Sequence, residues 1–559
     1  MKLTNEQQIA IDSVINGKNS YLNAGPGSGK SSTLAELCKQ LIKNSNNYVM
    51  LVTFTNKAAK EILHKAEGEH HSNISGGTFH KISYRLMKSY GANLQICDEG
   101  KKRLIIKKVF NCKRDKDKYE RVYKSISKSK SVYPVKVTPM VEQYQAELAK
   151  YSMIDFDDII NYGVDFIKDR KPQFKLTHIL VDELQDTSQN QLQMLVELQK
   201  LTGCMMVGVG DGDQVLYEWR NAKPKNVQDF IEIFDCNVLN LGINFRSDIS
   251  IVRASARLIS NNKDRLDKDL RAYSTQQGKV TIIPAWNPFD EIDKVIGVYK
   301  KTTSPITILY RDRLNKMKLE YGLRKAGIDY IVSDSNDIVD RLSFRVLLSI
   351  LKISANAYDI YDLEEASKGL KKIGNTTIAK VRSYMDTKEV DDIVFDLMSK
   401  AGTRNLTIIN SIRAKFKVHE KEHHTLDKLI EELPNYIIPS FEIPSDILEF
   451  LKDICSDYHT TISDIRDICN DFGLDNTKKD IENKDSRVTL STIHGFKGLE
   501  SDIIIIPFCD WTMRPDDSTK NIVEAERRVF YVGITRAKHE LYLTYSGTML
   551  PRFIKEMKL

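Results

Sequence analysis

The sequence predicts an α/β protein with two parallel-sheet domains, each interrupted by an inserted, mostly helical stretch. Three observations carry this expectation. Short apolar runs alternate with helical patterns near the N-terminus, the same alternation returns near the C-terminus, and two long polar stretches break the series. A chain of 559 residues also exceeds what one core ordinarily fills, so several compact units are expected.

Taken in order, Tyr21–Asn23 is a short strand that runs into a glycine-rich loop and a helical pattern over Ser31–Lys43. Tyr48–Phe54 is β-rich and apolar, and a helical pattern over Lys57–Ala66 follows it. His178–Val181 is a strand ending in acidic residues, and Cys204–Val209 is another. Late in the chain Ile306–Tyr310, Val488–Thr492, Ile503–Pro507 and Leu541–Tyr545 are strand-like, with helical patterns between them. A basic stretch at 91–150 breaks the first unit, and a polar helical stretch at 354–483 breaks the second.

Composition narrows the class. Hydrophobic residues make up 41% and charged residues 28%, as in soluble globular proteins. No apolar run approaches the roughly 20 residues that span a bilayer, and the N-terminus MKLTNEQQIA lacks the apolar core of a secretory signal. An intracellular, non-membrane protein is expected. The eight cysteines stand at no short spacing suited to zinc or an iron–sulfur cluster, so free thiols are expected. Between Lys101 and Lys136 there are 14 Lys/Arg against 3 Asp/Glu, beside Tyr119, Tyr123 and Tyr133. Such a block suits a phosphate backbone, and it equally suits a solvated helical face.

The chemistry begins at Ala24, Gly25, Pro26, Gly27, Ser28 and Gly29, followed by Lys30 and Ser31. Glycines let the backbone N–H groups wrap a phosphate, and the helix N-terminus adds favourable partial charge. Lys30 would reach the β/γ-phosphates, and the Ser31 hydroxyl would ligate Mg²⁺. The first position is Ala24, so the strict glycine pattern is not met. Asp182 and Glu183 close the strand His178–Val181, where ligands gather in α/β sheets. Asp182 would hold the metal, and Glu183 would orient and deprotonate the attacking water.

Further strings complete a recognisable set. They are Leu3–Gln7; Thr53–Ala59 (TFTNKAA); Gly77–His80 (GTFH); Ile154–Asp158 (IDFDD); Asp182–Thr187 (DELQDT); Val209–Arg220 (VGDGDQVLYEWR); Asn244–Arg246 (NFR); Thr489–Glu500 (TLSTIHGFKGLE); and Glu526–Arg528 with Tyr531–Arg536. Together and in this order, over Leu3 to Arg552, they resemble the UvrD/Rep/PcrA helicase family of superfamily 1A.

The resemblance implies two RecA-like domains with ATP between them. It implies a first domain at 1–90 and 151–240 with an inserted subdomain at 91–150. It implies a second at 241–353 and 484–559 with an inserted subdomain at 354–483. It gives Gln7 the role of reading adenine, Arg246 and Arg536 that of reaching the γ-phosphate, Gln214 that of sensing it, and Glu500 that of contacting the ribose. Phe54, Tyr217 and Trp219 become the residues on which bases stack; Asn56, His80, Arg220, Thr492 and His494 would touch backbone or bases. Two departures bear on the base. Ser32 stands where the family often has Arg, and Phe245 where it usually has Tyr, so nucleotides other than ATP are open as substrates.

The expected activity is an ATP-dependent DNA helicase or translocase moving 3′→5′ on single-stranded DNA. Its cofactors would be ATP and Mg²⁺, and its partners single-stranded and 3′-tailed duplex DNA, with room for a protein that loads it. A monomer or weak oligomer in a bacterial or phage-infected cytoplasm is expected. The alternative is a DNA-stimulated ATPase that translocates or remodels protein–DNA complexes with little unwinding, as part of a recombination or defence complex. Within the second insert, Lys372–Lys380 faintly resembles a helix–hairpin–helix phosphate grip.

Overall fold

A computed structural model describes residues 3–67, 71–91, 95–112, 116–151, 153–173, 175–216, 224–263, 265–333, 342–354, 360–370, 486–513 and 520–559, with a few positions between 376 and 452. Most of the Lys372–Lys380 string, and most of the helical stretch expected at 354–483, lie outside the described residues. The chain forms two compact units. One comprises residues 1–280, 512–541 and 550–559, and the other comprises 281–511 and 542–549.

In the first unit strand and helix alternate as α1 (Asn5–Ile15), β1 (Ser20–Ala24), α2 (Lys30–Ile42), β2 (Val49–Val52), α3 (Asn56–Lys65), β3 (Ile74–Gly77) and α4 (Phe79–Ser89). A helical insert follows: β4 (Gln95–Ile96), α5 (Glu99–Val109), α6 (Lys116–Lys130), α7 (Pro139–Lys150) and β5 (Met153–Ile154). The chain re-enters the sheet layer through α8 (Phe156–Arg170), β6 (His178–Val181), α9 (Gln189–Thr202), β7 (Met205–Gly210), α10 (Pro224–Ile233) and β8 (Asn237–Leu241). Helix starts carry side-chain caps: Thr4 forms a capping box with Gln7, and Asp155 does so with Asp158.

The six long strands form one sheet in the order β3-β2-β6-β7-β1-β8, parallel at every join. Period-two alternation explains why both faces are covered. Leu22, Leu51, Leu180 and Val207 face one apolar cluster, while Tyr21, Val52, Ile179, Val181 and Met206 face the other. Each fully buried aliphatic side chain contributes about 1.5–3 kcal/mol. The register brings the carboxyl ends of β1, β6 and β7 together, at Ala24, Val181 and Gly210.

The insert has a small core of its own around Ile106, Val122, Ile126, Tyr144 and Leu148. Its seam with α8 is ionic. Lys130, fully buried, lies 2.7 Å from both Asp155 and Asp158, and Lys102 lies 3.3 Å from Asp155 and 3.0 Å from Asp157. Burial disfavours the Asp155 charge, yet Lys130 and Lys102 overcome it and hold the carboxyl well below its ordinary range. Two lysines of the basic block therefore belong neither to a solvated face nor to a phosphate contact. The sequence did not reveal this, because their counter-charges arrive more than twenty residues later. Lys108 is likewise paired, 2.7 Å from Glu147. The six described cysteines that can be assigned are free thiols.

The unit continues through β9 (Ile243–Asn244), α11 (Ile249–Ile259) and β10 (Arg271–Ala272), and it regains the chain at α16 (Lys520–Ile534) and α17 (Arg552–Glu556). The second unit holds most of β11 (Lys279–Ala285), then α12 (Pro288–Lys301), β12 (Ile306–Tyr310), α13 (Arg313–Lys325), β13 (Ile331–Val332), α14 (Leu342–Ser354), α15 (Ile360–Ser367), β14 (Val488–Thr492) and β15 (Ser501–Ile506). With β16 (Ala537–Ser546) the second sheet runs β11-β16-β15-β12-β14-β13, and β12 pairs parallel with both β14 and β15. Ile308, Leu490 and Ile505 pack there against Ile292 and Leu319 from α12 and α13. The fold is thus two parallel-strand α/β domains. Among the described residues no helix is long and apolar enough to cross a membrane.

A buried acid in the second unit makes that fold pH-sensitive. Glu291 on α12 accepts hydrogen bonds from the Phe508 N–H at 2.8 Å and from the Thr544 hydroxyl. Its other oxygen has no hydrogen-bond partner among the described residues. Burial pushes the carboxyl up from 4.5 to about 7. The folded form therefore holds a proton that the unfolded chain has released. This stabilisation is complete below about pH 4.5 and is lost as pH rises through about 7, amounting to on the order of 3 kcal/mol. Glu291→Gln is expected to flatten that loss, which denaturant melts at pH 5 and pH 8 would measure. Equal slopes in the two proteins would refute the assignment.

Candidate nucleotide and nucleic-acid site

The phosphate loop is shaped before any ligand arrives. Gly27 and Gly29 take positive φ of 64° and 76°, values that favour glycine. The Ser28 hydroxyl donates to the Gly25 carbonyl at 2.8 Å, and Thr33 ties its N–H and hydroxyl to the Gly29 carbonyl. Gly27 also permits a close approach, since a Cβ there would lie 2.7 Å from the Arg246 Cβ. The Phe245 N–H donates to the Gly27 carbonyl at 2.8 Å, so Phe245 and Arg246 are fastened to this loop by backbone. Gln7 spends both ends of its amide on the protein. It accepts from the Thr4 N–H at 3.0 Å and donates to the Ser28 carbonyl at 3.3 Å. Phe245 pairs with Tyr273, ring centroids 4.9 Å apart. Ser32 is half-buried in the first turn of α2.

The acidic pair stands two strands away in the sheet, at the end of β6. Asp182 is buried, and Glu183 takes a left-handed φ of 50°. That turn carries the Glu183 carboxylate to 4.0 Å from Lys30. Gln185 donates to Glu183 and accepts from the Asp211 N–H at 3.0 Å. Gly210 makes room for it, as a Cβ there would fall 2.3 Å from the Gln185 amide oxygen. Asp211 then accepts from the Gln214 amide at 2.7 Å, and Gln214 accepts from Arg536 at 2.8 Å. A continuous hydrogen-bonded line therefore joins Glu183 to Arg536.

Arg536 is 2% exposed and is held by the Val532 carbonyl at 2.9 Å and the Thr535 hydroxyl at 3.1 Å. Arg246 donates to the Thr535 carbonyl at 3.0 Å. Burial first, and then the charge of Arg246, push the Arg536 guanidinium down to about 9. A buried guanidinium with a second, half-buried one beside it favours an anion close by. For a magnesium-type cation, Asp182 and the exposed Ser31 hydroxyl offer hard oxygen donors, which fit it. Among the described residues no group of three or more His, Cys, Asp or Glu could cage a metal by itself.

The expected nucleic-acid residues fall into three groups. Phe54, exposed after β2, and His80, on the first turn of α4, line one cavity of about 660 Å³ together with Lys124 and Lys128 of the insert and Glu183. Phe156 lines it too, its ring 6.0 Å from His80 and edge-on. Sequence reasoning misses Phe156; its signal there is an aromatic residue between two aspartates, Asp155 and Asp157. Asn56 is exposed at the start of α3. Thr492, His494 and Glu500 belong to the second unit, where the Thr492 hydroxyl at the end of β14 caps the Gly495 N–H at 2.8 Å. Tyr217, Trp219 and Arg220 lie outside the described residues.

Comparison with known proteins gives this geometry its relatives. Residues 3–235 match the model of the UvrD/REP helicase N-terminal domain. Residues 239–435 and 404–548 match that of the UvrD-like helicase C-terminal domain. The chain is 27% identical to a probable DNA helicase II homolog of Rickettsia conorii, over 94% of this chain and 90% of that protein. It is 27% identical to the ATP-dependent DNA helicase Rep of Buchnera aphidicola (subsp. Acyrthosiphon pisum), over 98% and 95% respectively. Against the ATP-dependent DNA helicase PcrA of Bacillus subtilis it is 28% identical over 94% of this chain and 80% of that one.

Proposed function

Because the chain belongs to the UvrD/REP helicase family and is an ATP-dependent DNA helicase of that type, we propose that it moves 3′→5′ on single-stranded DNA and hydrolyses ATP at the loop Ala24–Ser31. The observation that carries the reading is the meeting of Arg246 and Arg536, almost three hundred residues apart in sequence, beside the phosphate loop and the Gln214 amide.

Each residue then has a task. Loop amides and Lys30 bind the phosphates. Glu183 takes the proton of the attacking water, and the hydrogen bond from Gln185, with the charge of Lys30 4.0 Å away, fixes where it points. Arg246 and Arg536 stabilise the charge that spreads over the transferred phosphoryl group. A magnesium ion held by Ser31 and Asp182 would neutralise the phosphates. Gln214 reports on the γ-phosphate from within the line that runs from Glu183 to Arg536. Phe245 offers a ring to the base; Gln7, with one amide N–H on Ser28, turns its second N–H and second oxygen lone pair to adenine, and Glu500 contacts the ribose. Phe54 and Trp219 stack bases with Tyr217, each stack contributing about 1–3 kcal/mol without regard to sequence. Asn56, His80, Arg220, Thr492 and His494 contact the strand.

The domain plan follows. Residues 1–90 and 151–240 form the first motor domain, with 91–150 inserted. Residues 241–353 and 484–559 form the second, with 354–483 inserted. The protein works on DNA in the cytoplasm of a bacterial or phage-infected cell, as a monomer or weak oligomer that a loading protein can recruit. A strand-displacement assay on 3′-tailed and 5′-tailed duplexes tests the polarity. Only the 3′-tailed duplex is expected to open. Opening of the 5′-tailed duplex alone would reverse the polarity, and opening of neither, with phosphate release still stimulated by single strands, would leave a translocase.

A further inference from the structure

Lys268 lies in the loop between α11 and β10, outside every string that the sequence singled out. Its side chain is 1% exposed. Its ammonium bridges two carboxylates of the segment after β7, Asp211 and Asp213, and stands 2.8 Å from the latter. Arg265 grips Asp213 from another side, with Nε at 3.2 Å and Nη2 at 2.9 Å. Two buried acids and two bases cancel. The bases differ in reach: Lys268 touches both acids, whereas Arg265 touches Asp213 and the exposed Asp267. The same loop leans on the phosphate turn, where Leu270 closes over Gly25 so tightly that a Cβ would lie 2.5 Å from it.

Asp211 is the branch point. One of its oxygens meets Lys268 and the Asp213 N–H, and the other accepts from the Gln214 amide at 2.7 Å. An amide has one donating end and one accepting end. With its NH₂ fixed on Asp211, Gln214 must present its carbonyl oxygen to Arg536, as it does at 2.8 Å. Asp211 also attracts the Arg536 guanidinium directly. Without Lys268, Asp211 would keep an uncompensated buried charge, and Arg536 is the cation in position to answer it. An arginine turned toward Asp211 is withdrawn from the phosphate.

We propose that Lys268 is a positioning residue for ATP hydrolysis: by neutralising Asp211 it holds Gln214 in the orientation that aims Arg536 at the nucleotide. This rests on the reading of Arg536 given above.

The test is steady-state ATPase of the full chain, with and without a thymidine oligonucleotide, alongside a thermal melt of every variant. Lys268→Met is expected to lower kcat about 10²-fold, with KM for ATP changed by no more than about threefold. Arg265→Gln removes a buried charge of the same sign without touching Asp211, so its melting temperature should fall while kcat stays within about threefold. Lys268→Arg, which keeps the charge, should recover most of the loss. If Lys268→Met does not fold, Lys268→Met with Asp211→Asn leaves no charge unbalanced; it should fold and work within about tenfold of the native protein. Lys268→Met and Arg265→Gln losing kcat together, in step with their melting temperatures, would overturn the proposal, as would a folded double variant that is inactive. Arg536→Ala measured in parallel separates the two readings. If it turns over normally, the role of Arg536 itself falls. If it is inactive while Lys268→Met is not, only the inference about Lys268 falls.

Discussion

Arg536→Ala is expected to lower DNA-stimulated ATP turnover about 10³-fold or more, with ATP affinity changed by only a small factor. The guanidinium is buried, held at three points by Val532, Thr535 and Gln214, and pushed down to about 9 by burial and by Arg246. It is therefore placed and desolvated in advance, and a phosphoryl group gaining charge in the transition state collects the full benefit. Arg536→Lys should rescue little. A single ammonium cannot serve Val532, Thr535 and Gln214 in one plane while still facing a phosphate. Single-turnover hydrolysis, with nucleotide binding measured separately, checks this. A large loss of affinity with unchanged turnover would make Arg536 a binding group only.

Glu183→Gln is the second large effect, a fall in kcat of about 10²–10⁴-fold. The substitution keeps the size of the side chain and removes its capacity to take a proton. The left-handed turn at Glu183 and the approach of Gln185 and Lys30 should persist, so nucleotide and DNA binding are expected to survive. The variant should then accumulate as an ATP complex on single-stranded DNA. Quenched-flow detection of hydrolysis decides the matter, and a variant that still cleaves ATP at the native rate moves the base elsewhere.

What could be read from the sequence was local. The strand before Ala24, the helix after Lys30 and the acidic end of β6 each carry their own pattern of period, glycine and charge, and the structure has strands and helices there within a residue or two. Cys204–Val209 became Met205–Gly210, and Leu541–Tyr545 grew into the ten-residue β16. Arg246, Gln214 and Arg536 stand out from strings alone, and the structure sets Arg536 on the Gln214 amide oxygen and Arg246 on the neighbouring Thr535 carbonyl. What the strings could not convey is that Asp211 joins Gln185 to Gln214, or that Lys268 balances it, because those partners meet only when the loop after α11 folds back over β7. Lys102 and Lys130 of the basic block stay illegible for the same reason. A lysine buried against a distant aspartate looks, in sequence, like a lysine in water.

The ionic seam between the insert and α8 has a consequence for how such a protein can be re-engineered. Asp155, Asp157 and Asp158 sit on the host side, while Lys102 and Lys130 belong to the guest. A chimera that swaps residues 99–150 for a foreign helical module would strand Asp155 and Asp158 inside the protein, at a cost of several kcal/mol. Modules at this position are transferable only with a matching pair of cations, so the boundary behaves as a keyed joint.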